Sequence, residues 1–360
     1  MTATDPRVLA VAVPAPLDET FDYLAPAGAP APRPGQRVRV PFGRATRVGM
    51  VVAVKATTAV PAGRLKPVAA VLDPEPLLPP DLLGLLHFAH RYYQHPLGEV
   101  IATALPAGLR AGAAPAAGRE YWEATAAGRA ALGPDGDPGL RRAPAQRRLL
   151  EALATAPAGC TLDELGTATG DPRRTLALLA GRGFVTAAVR PLAVAATTTP
   201  PEAPPALNAD QAAAVAAIRA ADGFAPFLLD GVTGSGKTEV YLQAIAPLVA
   251  AGRQCLVLVP EIALTPQLVA RFRRRFPDAV VELHSGLADG ERLFAWTAAR
   301  TGAARLVIGT RSAIFAPLVA PGLIVVDEEH DGSYKQQDGF RYSARDLAVW
   351  RARELGVPLV

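Results

Sequence analysis

Gly231-Val232-Thr233-Gly234-Ser235-Gly236-Lys237-Thr238 fits the phosphate-loop pattern G-x-x-x-x-G-K-[ST] at every fixed position. The apolar Phe227-Leu228-Leu229 before it reads as a buried strand, and Thr238 to Val249 reads as a helix. That strand–loop–helix context is what the motif requires. Successive backbone N–H groups of such a loop point inward around a polyphosphate, and the helix N-terminus adds partial positive charge there. Gly234 and Gly236 let the backbone approach closely. Lys237 is expected to reach the β- and γ-phosphates, and Thr238 to hold Mg²⁺.

A second apolar run, Leu323-Ile324-Val325-Val326, ends in Asp327-Glu328-Glu329-His330. Acidic residues at the C-terminal end of a parallel strand lie where open α/β sheets bind ligands. Asp327 is expected to hold Mg²⁺ and Glu328 to polarise the attacking water, so Lys237, Asp327 and Glu328 form the candidate catalytic set. The guanine signature Asn-Lys-x-Asp is absent, which points to ATP. Gln211, just upstream of the first strand, is placed to read an adenine edge.

Other strand ends lie between the two motifs: Cys255 to Val259, Val281 to Leu283 and Leu306 to Ile308. Their loops, with Thr310 and Arg311 and the run Arg271, Arg273, Arg274, Arg275, could bind the phosphates of a strand. After the acidic motif comes Tyr334-Lys335-Gln336-Gln337-Asp338-Gly339-Phe340-Arg341-Tyr342-Ser343-Ala344-Arg345. Aromatic and cationic residues alternate there, as in a platform that stacks single-stranded bases on Tyr334, Phe340 and Tyr342 while Lys335 and Arg341 meet phosphates. The bland alternative is an ordinary packed loop.

The whole chain has 360 residues, half of them hydrophobic, which suggests two or three domains. Its 37 basic and 33 acidic residues leave a net charge of +4, compatible with a nucleic-acid partner. The two cysteines, Cys160 and Cys255, imply neither a metal knuckle nor a disulfide framework. No apolar run approaches a membrane span and no signal peptide is evident, so a cytoplasmic protein is expected.

Residues 1 to about 72 read as β-rich, a small barrel or sandwich, with alternation at Val8 to Val13 and Arg37 to Val40. Arg33, Arg37, Arg39, Arg44 and Arg47 form either a basic binding face or a solvated, charge-guarded edge. Residues 79–104 look helical, and His87, His90 and His95 are packing residues rather than metal ligands. The Gly-, Pro- and Ala-rich stretch 105–139 reads as a boundary. Three short helices follow: one around Leu149 to Leu153, one opened by the capping box Thr161-Leu162-Asp163-Glu164, and one begun by Asp171-Pro172. With an apolar Phe184 to Val194 as a hairpin wing, they suggest a winged helix, a fold that binds DNA or only mediates protein contacts. Thr197 to Pro205 reads as a linker.

Five stretches closely resemble one family: DGVTGSGKTEVY (230–241), VPEIALTPQ (259–267), LHSG (283–286), GTRSAIFAP (309–317) and DEEHDGSYKQQDGFRYSARDLA (327–348). They are similar to superfamily 2 helicases, and within these to the bacterial primosomal replication-restart helicases (the PriA, or primosomal protein N-prime, family). PLDETFDYLAP (16–26) and GQRVRVPFG (35–43) resemble that family's N-terminal domain. The resemblance implies an N-terminal 3′-end DNA-binding domain (1–108), a winged helix (109–198) and a first RecA-like ATPase lobe (199–360). It implies a 3′→5′ DNA helicase that recognises stalled forks and initiates primosome assembly. Phe21, Asp22, Tyr23, Gly43 and Lys66 would form the 3′-end pocket. Implied partners are forks, D-loops and single strands, single-stranded DNA-binding protein, other primosome proteins and the loader of the replicative helicase, in a nucleoid-associated setting.

The resemblance also implies a second lobe with an arginine finger, and zinc-binding cysteines, beyond Val360. Phe340 stands where the family often has Trp. Against an ATP-driven translocase stands a fork-binding module without ATP turnover. A phosphate-loop kinase or transporter ATPase is disfavoured by the acidic motif and aromatic loop together.

Overall fold

The computed structural model describes residues 8–26, 30–115, 118–134, 136–156, 159–169, 172–191, 201–232 and 234–360. Residues 1–115 and 194–360 form one compact unit and 116–193 another.

The first unit starts with five strands: β1 (Val8–Ala12), β2 (Phe21–Leu24), β3 (Arg37–Phe42), β4 (Ala45–Lys55) and β5 (Ala70–Val71). They are ordered β2-β1-β4-β3-β5 and each neighbouring pair is antiparallel. The segment entering β5 closes the sheet on itself. Leu24 N–H donates to Lys66 O at 2.9 Å on one side, and Ala69 N–H donates to Arg39 O at 2.8 Å on the other. Of the barrel and the sandwich left open by the sequence, the closed sheet is the barrel, with Leu9, Val11, Tyr23, Val38, Val40 and Val51 inside. The alternation read at Val8 to Val13 does not become an in–out pattern. Every residue of β1 is buried, because Ala12 and Met50 join a second core on the barrel's outer side.

That second core explains why the barrel and the C-terminal part are one unit. Helices α1 (Pro80–Tyr93), α2 (Leu97–Thr103) and α3 (Ala107–Arg110) supply Leu82, Leu85, Leu86, Val100, Ile101 and Leu109 to it. Trp296 and Phe315 come from the other side, and the Trp296 indole N–H donates to Ala104 O at 3.0 Å. Arg351 is fully buried, giving 2.6 Å to Ile314 O and 3.2 Å to Asp81.

The unit spanning 116–193 holds β6 (Gly118–Ala124), α4 (Ala126–Ala131), α5 (Pro138–Arg141), α6 (Pro144–Thr155), α7 (Leu162–Thr169), α8 (Arg173–Gly181) and β7 (Val185–Pro191). The Thr161–Glu164 capping box forms, Thr161 N–H donating to the Glu164 carboxylate at 2.7 Å. Asp171 lies outside the described residues, as do residues 197–200 of the Thr197 to Pro205 linker. The strand after α8 is not half of a local hairpin. It pairs along its length with β6, from Gly118↔Pro191 to Ala124↔Val185. The stretch 105–139 therefore contains helices and a strand rather than only a boundary. Its Gly and Pro residues punctuate short elements whose apolar side chains (Ala124, Leu140) meet Leu149, Leu150, Leu153, Leu176 and Leu179.

The region holding the phosphate-loop motif runs through α9 (Ala209–Ala220), α10 (Lys237–Ala250), β8 (Gln254–Leu258), α11 (Pro266–Arg275), β9 (Val280–Leu283), α12 (Asp289–Thr301), β10 (Leu306–Gly309), β11 (Pro321–Val326) and α13 (Ala344–Leu355). The four strands are parallel, ordered β11-β8-β10-β9. β8 and β10 are wholly buried, as the strands of a sheet covered on both faces must be. Two further segments extend the sheet past β11. Val360 N–H donates to Ile324 O at 3.0 Å, and Phe227 N–H to Leu359 O at 2.8 Å. The expected strand 227–229 reduces to this single parallel bridge at Pro226. Leu228, in the outermost of the described segments, is 83% exposed.

Candidate nucleotide and DNA sites

The phosphate loop leaves that outer segment and enters α10 at Gly236, whose φ is +87°. The left-handed backbone there disfavours any side chain, and a Cβ, 2.5 Å from Gln211 Nε2, would push that amide aside. Gly234 has φ +85°, while Gly231 is closed in by Ser235 Oγ. Val232, Gly234 and Ser235 are exposed, Thr238 is half-buried in the first turn of α10, and Thr233 lies outside the described residues. Gln211 closes a capping box with Asn208 and donates to Ser235 O at 2.9 Å. It braces the loop backbone, an engagement that its residue type alone did not indicate.

Lys237 and the acidic motif meet at the C-terminal edge of the sheet. Lys237 Nζ donates to Gly231 O at 2.6 Å and lies 3.3 Å from Glu328 Oε1. Glu328 has φ +47°, a left-handed conformation costly for a side chain with a Cβ, and its other oxygen is 3.9 Å from His330. Asp327 accepts from Tyr241 Oη at 2.5 Å, and its backbone carbonyl accepts from Tyr334 Oη at 2.6 Å. Burial, followed by the Asp327 charge, raises both phenols well above their ordinary pKa, so they stay neutral donors. Gly231, Lys237, Tyr241 and residues 327–330 line a cavity of about 560 Å³ together with Arg345, which pairs with Glu329 at 3.0 Å.

The donor set fits Mg²⁺ held with a nucleotide: one carboxylate and one hydroxyl, with phosphates and waters for the remaining positions. No described group of three or more His, Cys, Asp or Glu could hold a metal alone. His87, His90 and His95 make no such cluster; His90 Nδ1 lies 2.8 Å from His95 O. The cysteines do not suit zinc. Cys255 is sealed inside β8 with its thiol pushed up to about 12 by burial, and Cys160 takes part in an isolated bridge to Trp122.

The expected base-stacking platform is not exposed. Tyr334, Phe340 and Tyr342 have relative exposures of 3, 5 and 2%. Phe340 sits 5.2 Å from the His95 ring and 5.9 Å from Tyr93, and Tyr342 sits 5.0 Å from Phe315. Their hydrophobic area is spent on α1 and the core, so as folded here these rings cannot stack bases face to face. Arg311 straps the loop down, donating to Ser333 O at 2.8 Å and Lys335 O at 3.2 Å, with Glu261 at 3.7 Å. Of the residues expected to meet DNA there, the cations face solvent: Lys335, whose ammonium bonds Arg341 O and lies 5.1 Å from the Tyr93 ring centre, and Arg341. Thr310 is buried apart from an edge on a cavity of about 330 Å³, which it lines with Glu261, Ser285, Arg311 and the edges of Phe340 and Tyr342.

The arginine run of α11 is likewise engaged. Arg271 and Arg275 pair with buried Glu239 at 3.5 and 2.8 Å, Arg273 with Glu282 at 2.7 Å and Arg274 with Glu202 at 3.1 Å.

In the barrel, alternation along β2 sends Phe21 and Tyr23 to one face and Asp22 to the other. Tyr23 is core, its hydroxyl donating to Pro41 O at 3.0 Å, and cannot be a free contact. Phe21 meets Phe42 edge-to-face at 5.0 Å. Asp22 takes Lys55 at 2.8 Å and Thr58 at 2.6 Å. Gly43 is exposed at the β3–β4 turn, and Lys66 is exposed with its carbonyl bonded to Leu24. Arg37 is not on a basic face. It is fully buried, its guanidinium forked on Asp73 at 2.9 and 2.7 Å and giving a third bond to Leu109 O. Arg33, Arg39, Arg44 and Arg47 remain exposed.

Comparison with known proteins fits this geometry. A family model described as a 3′ DNA-binding domain matches residues 10–106, and a DEAD/DEAH box helicase model matches 208–355. The chain is 40% identical over 364 aligned residues to a protein named replication restart protein PriA from Haemophilus influenzae, covering 98% of this chain and 48% of that protein. A relative of the same name from Chlamydia pneumoniae is 34% identical, covering 94% of this chain and 45% of its own length. The Bacillus subtilis relative is 52% identical over 134 residues, 37% of this chain and 17% of that protein. The chain thus spans about half the length of the relatives that match nearly all of it. With a 3′ DNA-binding model over the barrel, a helicase model over the parallel sheet and such relatives along nearly its whole length, the chain is PriA-like, similar to replication restart proteins over the half of their length that it spans.

Proposed function

We propose that this chain supplies the DNA-end-binding part and the first ATPase lobe of a 3′→5′ helicase that recognises stalled forks and restarts replication. The observation that carries it is the meeting of Lys237 and Glu328 at 3.3 Å beside Asp327, in a protein whose barrel matches a 3′ DNA-binding domain. Thr238 and Asp327 would hold Mg²⁺, which when bound supplies charge neutralisation on the β/γ-phosphate oxygens. Lys237 then turns from Gly231 O and Glu328 to the phosphates. Glu328, released from that pair, orients the attacking water. Gln211 keeps the loop in shape through Ser235 and has one amide hydrogen left for an adenine edge.

At the barrel, Phe21, Asp22, Gly43 and Lys66 surround the 3′ end. An ionised carboxylate has about four acceptor sites. Lys55 and Thr58 take two of them on Asp22, leaving room for a 3′-hydroxyl. The unit 116–193 acts as a winged helix, with Arg174 exposed at the start of α8. Single-stranded DNA-binding protein, other primosome proteins and the replicative helicase loader are the proposed partners of the whole protein.

The test is ATP hydrolysis by the intact protein with and without forked DNA, alongside displacement of strands from 3′- and 5′-tailed duplexes. DNA-stimulated hydrolysis with unwinding on 3′-tailed substrates is the expected result. Tight fork binding without turnover would replace this reading with a fork-binding module.

A further inference from the structure

Tyr241 stands one turn into α10, three and four residues after Thr238 and Lys237. One helix face therefore carries the phosphate-binding lysine, the hydroxyl proposed for Mg²⁺ and the phenol that bonds Asp327. The phosphate-loop pattern places no requirement on this position. The ring is buried in a core with Val240, Val257 and Val325, where phenylalanine would fill nearly the same space. What packing does not account for is the hydroxyl. Burying one is unfavourable unless it finds a partner, and here the partner is the side chain of Asp327 rather than a nearby backbone carbonyl.

We propose that Tyr241 is a positioning residue for divalent-cation binding. By occupying Oδ1 of Asp327 it fixes the rotation of that carboxylate and leaves Oδ2 for the cation that accompanies the nucleotide. This inference rests on the reading of the site as one for ATP and Mg²⁺. Without the phenol, the carboxylate would be free to turn within a site that already contains the Lys237 ammonium and the Glu328 carboxylate. Partners that hydrogen-bond a metal-ligating carboxylate commonly contribute about 10–100-fold to metal affinity.

The experiment titrates Mg²⁺ into the intact protein with a fluorescent, non-hydrolysable ATP analogue, for the wild type and Tyr241→Phe. The expected result is a half-saturating Mg²⁺ concentration raised by about 10-fold or more in the variant. Analogue binding in EDTA and the thermal midpoint should be unchanged. A second comparison adds Tyr241→Phe to Asp327→Asn, where its effect should shrink because the two residues act as a pair. An unchanged Mg²⁺ requirement overturns the inference, as does equal weakening with and without Mg²⁺ or full additivity in the Asn background. A wild type whose nucleotide binding ignores Mg²⁺ overturns the ATP-site reading and the inference with it. A Mg²⁺-responsive wild type with an indifferent Tyr241→Phe overturns the inference alone.

Discussion

The phosphate loop and the aromatic loop both border Asp327, yet they hold themselves in place by opposite means. In the first, the groups proposed to recognise phosphate are backbone N–H donors, and Val232, Gly234 and Ser235 lie open to solvent. Its shape comes from glycines at φ +85° and +87° and from one brace, Gln211 on Ser235. In the second, Tyr334, Phe340 and Tyr342 are core residues, and Arg311 with Lys335 tie its backbone down. A motif whose chemistry lies in the backbone survives in isolation. A motif defined by side-chain type can be turned inward or outward by what packs against it, here Tyr93, His95 and Phe315.

Phe340→Ala should draw the contrast most sharply. Removing a buried phenylalanine costs about 3–5 kcal/mol in comparable cores, so the variant should melt well below the wild type. Calorimetry checks this, and a wild-type melting temperature with lost DNA stimulation of ATPase would instead restore the stacking platform.

Lys237→Ala should do the reverse, leaving thermal stability and fork binding nearly intact. Loss of one preorganised charge on the transferring phosphate should lower ATP turnover by roughly 10²–10³-fold or more. Phosphate-release kinetics beside filter binding measure both quantities, and a parallel loss of DNA affinity would show that the two regions are less separable than their geometry suggests.

The smallest effects belong to the exposed cations of the aromatic loop. Lys335→Ala and Arg341→Ala should each weaken single-strand affinity modestly and lower the salt slope by about 0.7 per lost phosphate contact. Binding isotherms at several salt concentrations read this directly. An unchanged slope for both would place the strand elsewhere.

The same division separates what was legible in the chain from what was not. The phosphate loop, the acidic strand end, the Thr161–Glu164 capping box and the barrel's strands are local patterns: spacing, glycine position and period each carry them. The sequence alone therefore determined an α/β lobe carrying a phosphate-loop motif, with a β-rich domain before it. Burial of one residue by another far along the chain has no local signature. Arg37 alternated like a surface arginine and is the least accessible charge of the barrel, because Asp73 and Leu109 come over it. The partner of Asp327 was hidden for the same reason, since Tyr241 reads as one more apolar position of a buried helix. Tertiary structure alone decided these matters: solvent exposure and hydrogen-bond partnership depend on which surfaces meet, and those surfaces are 36 to 86 residues apart in the chain.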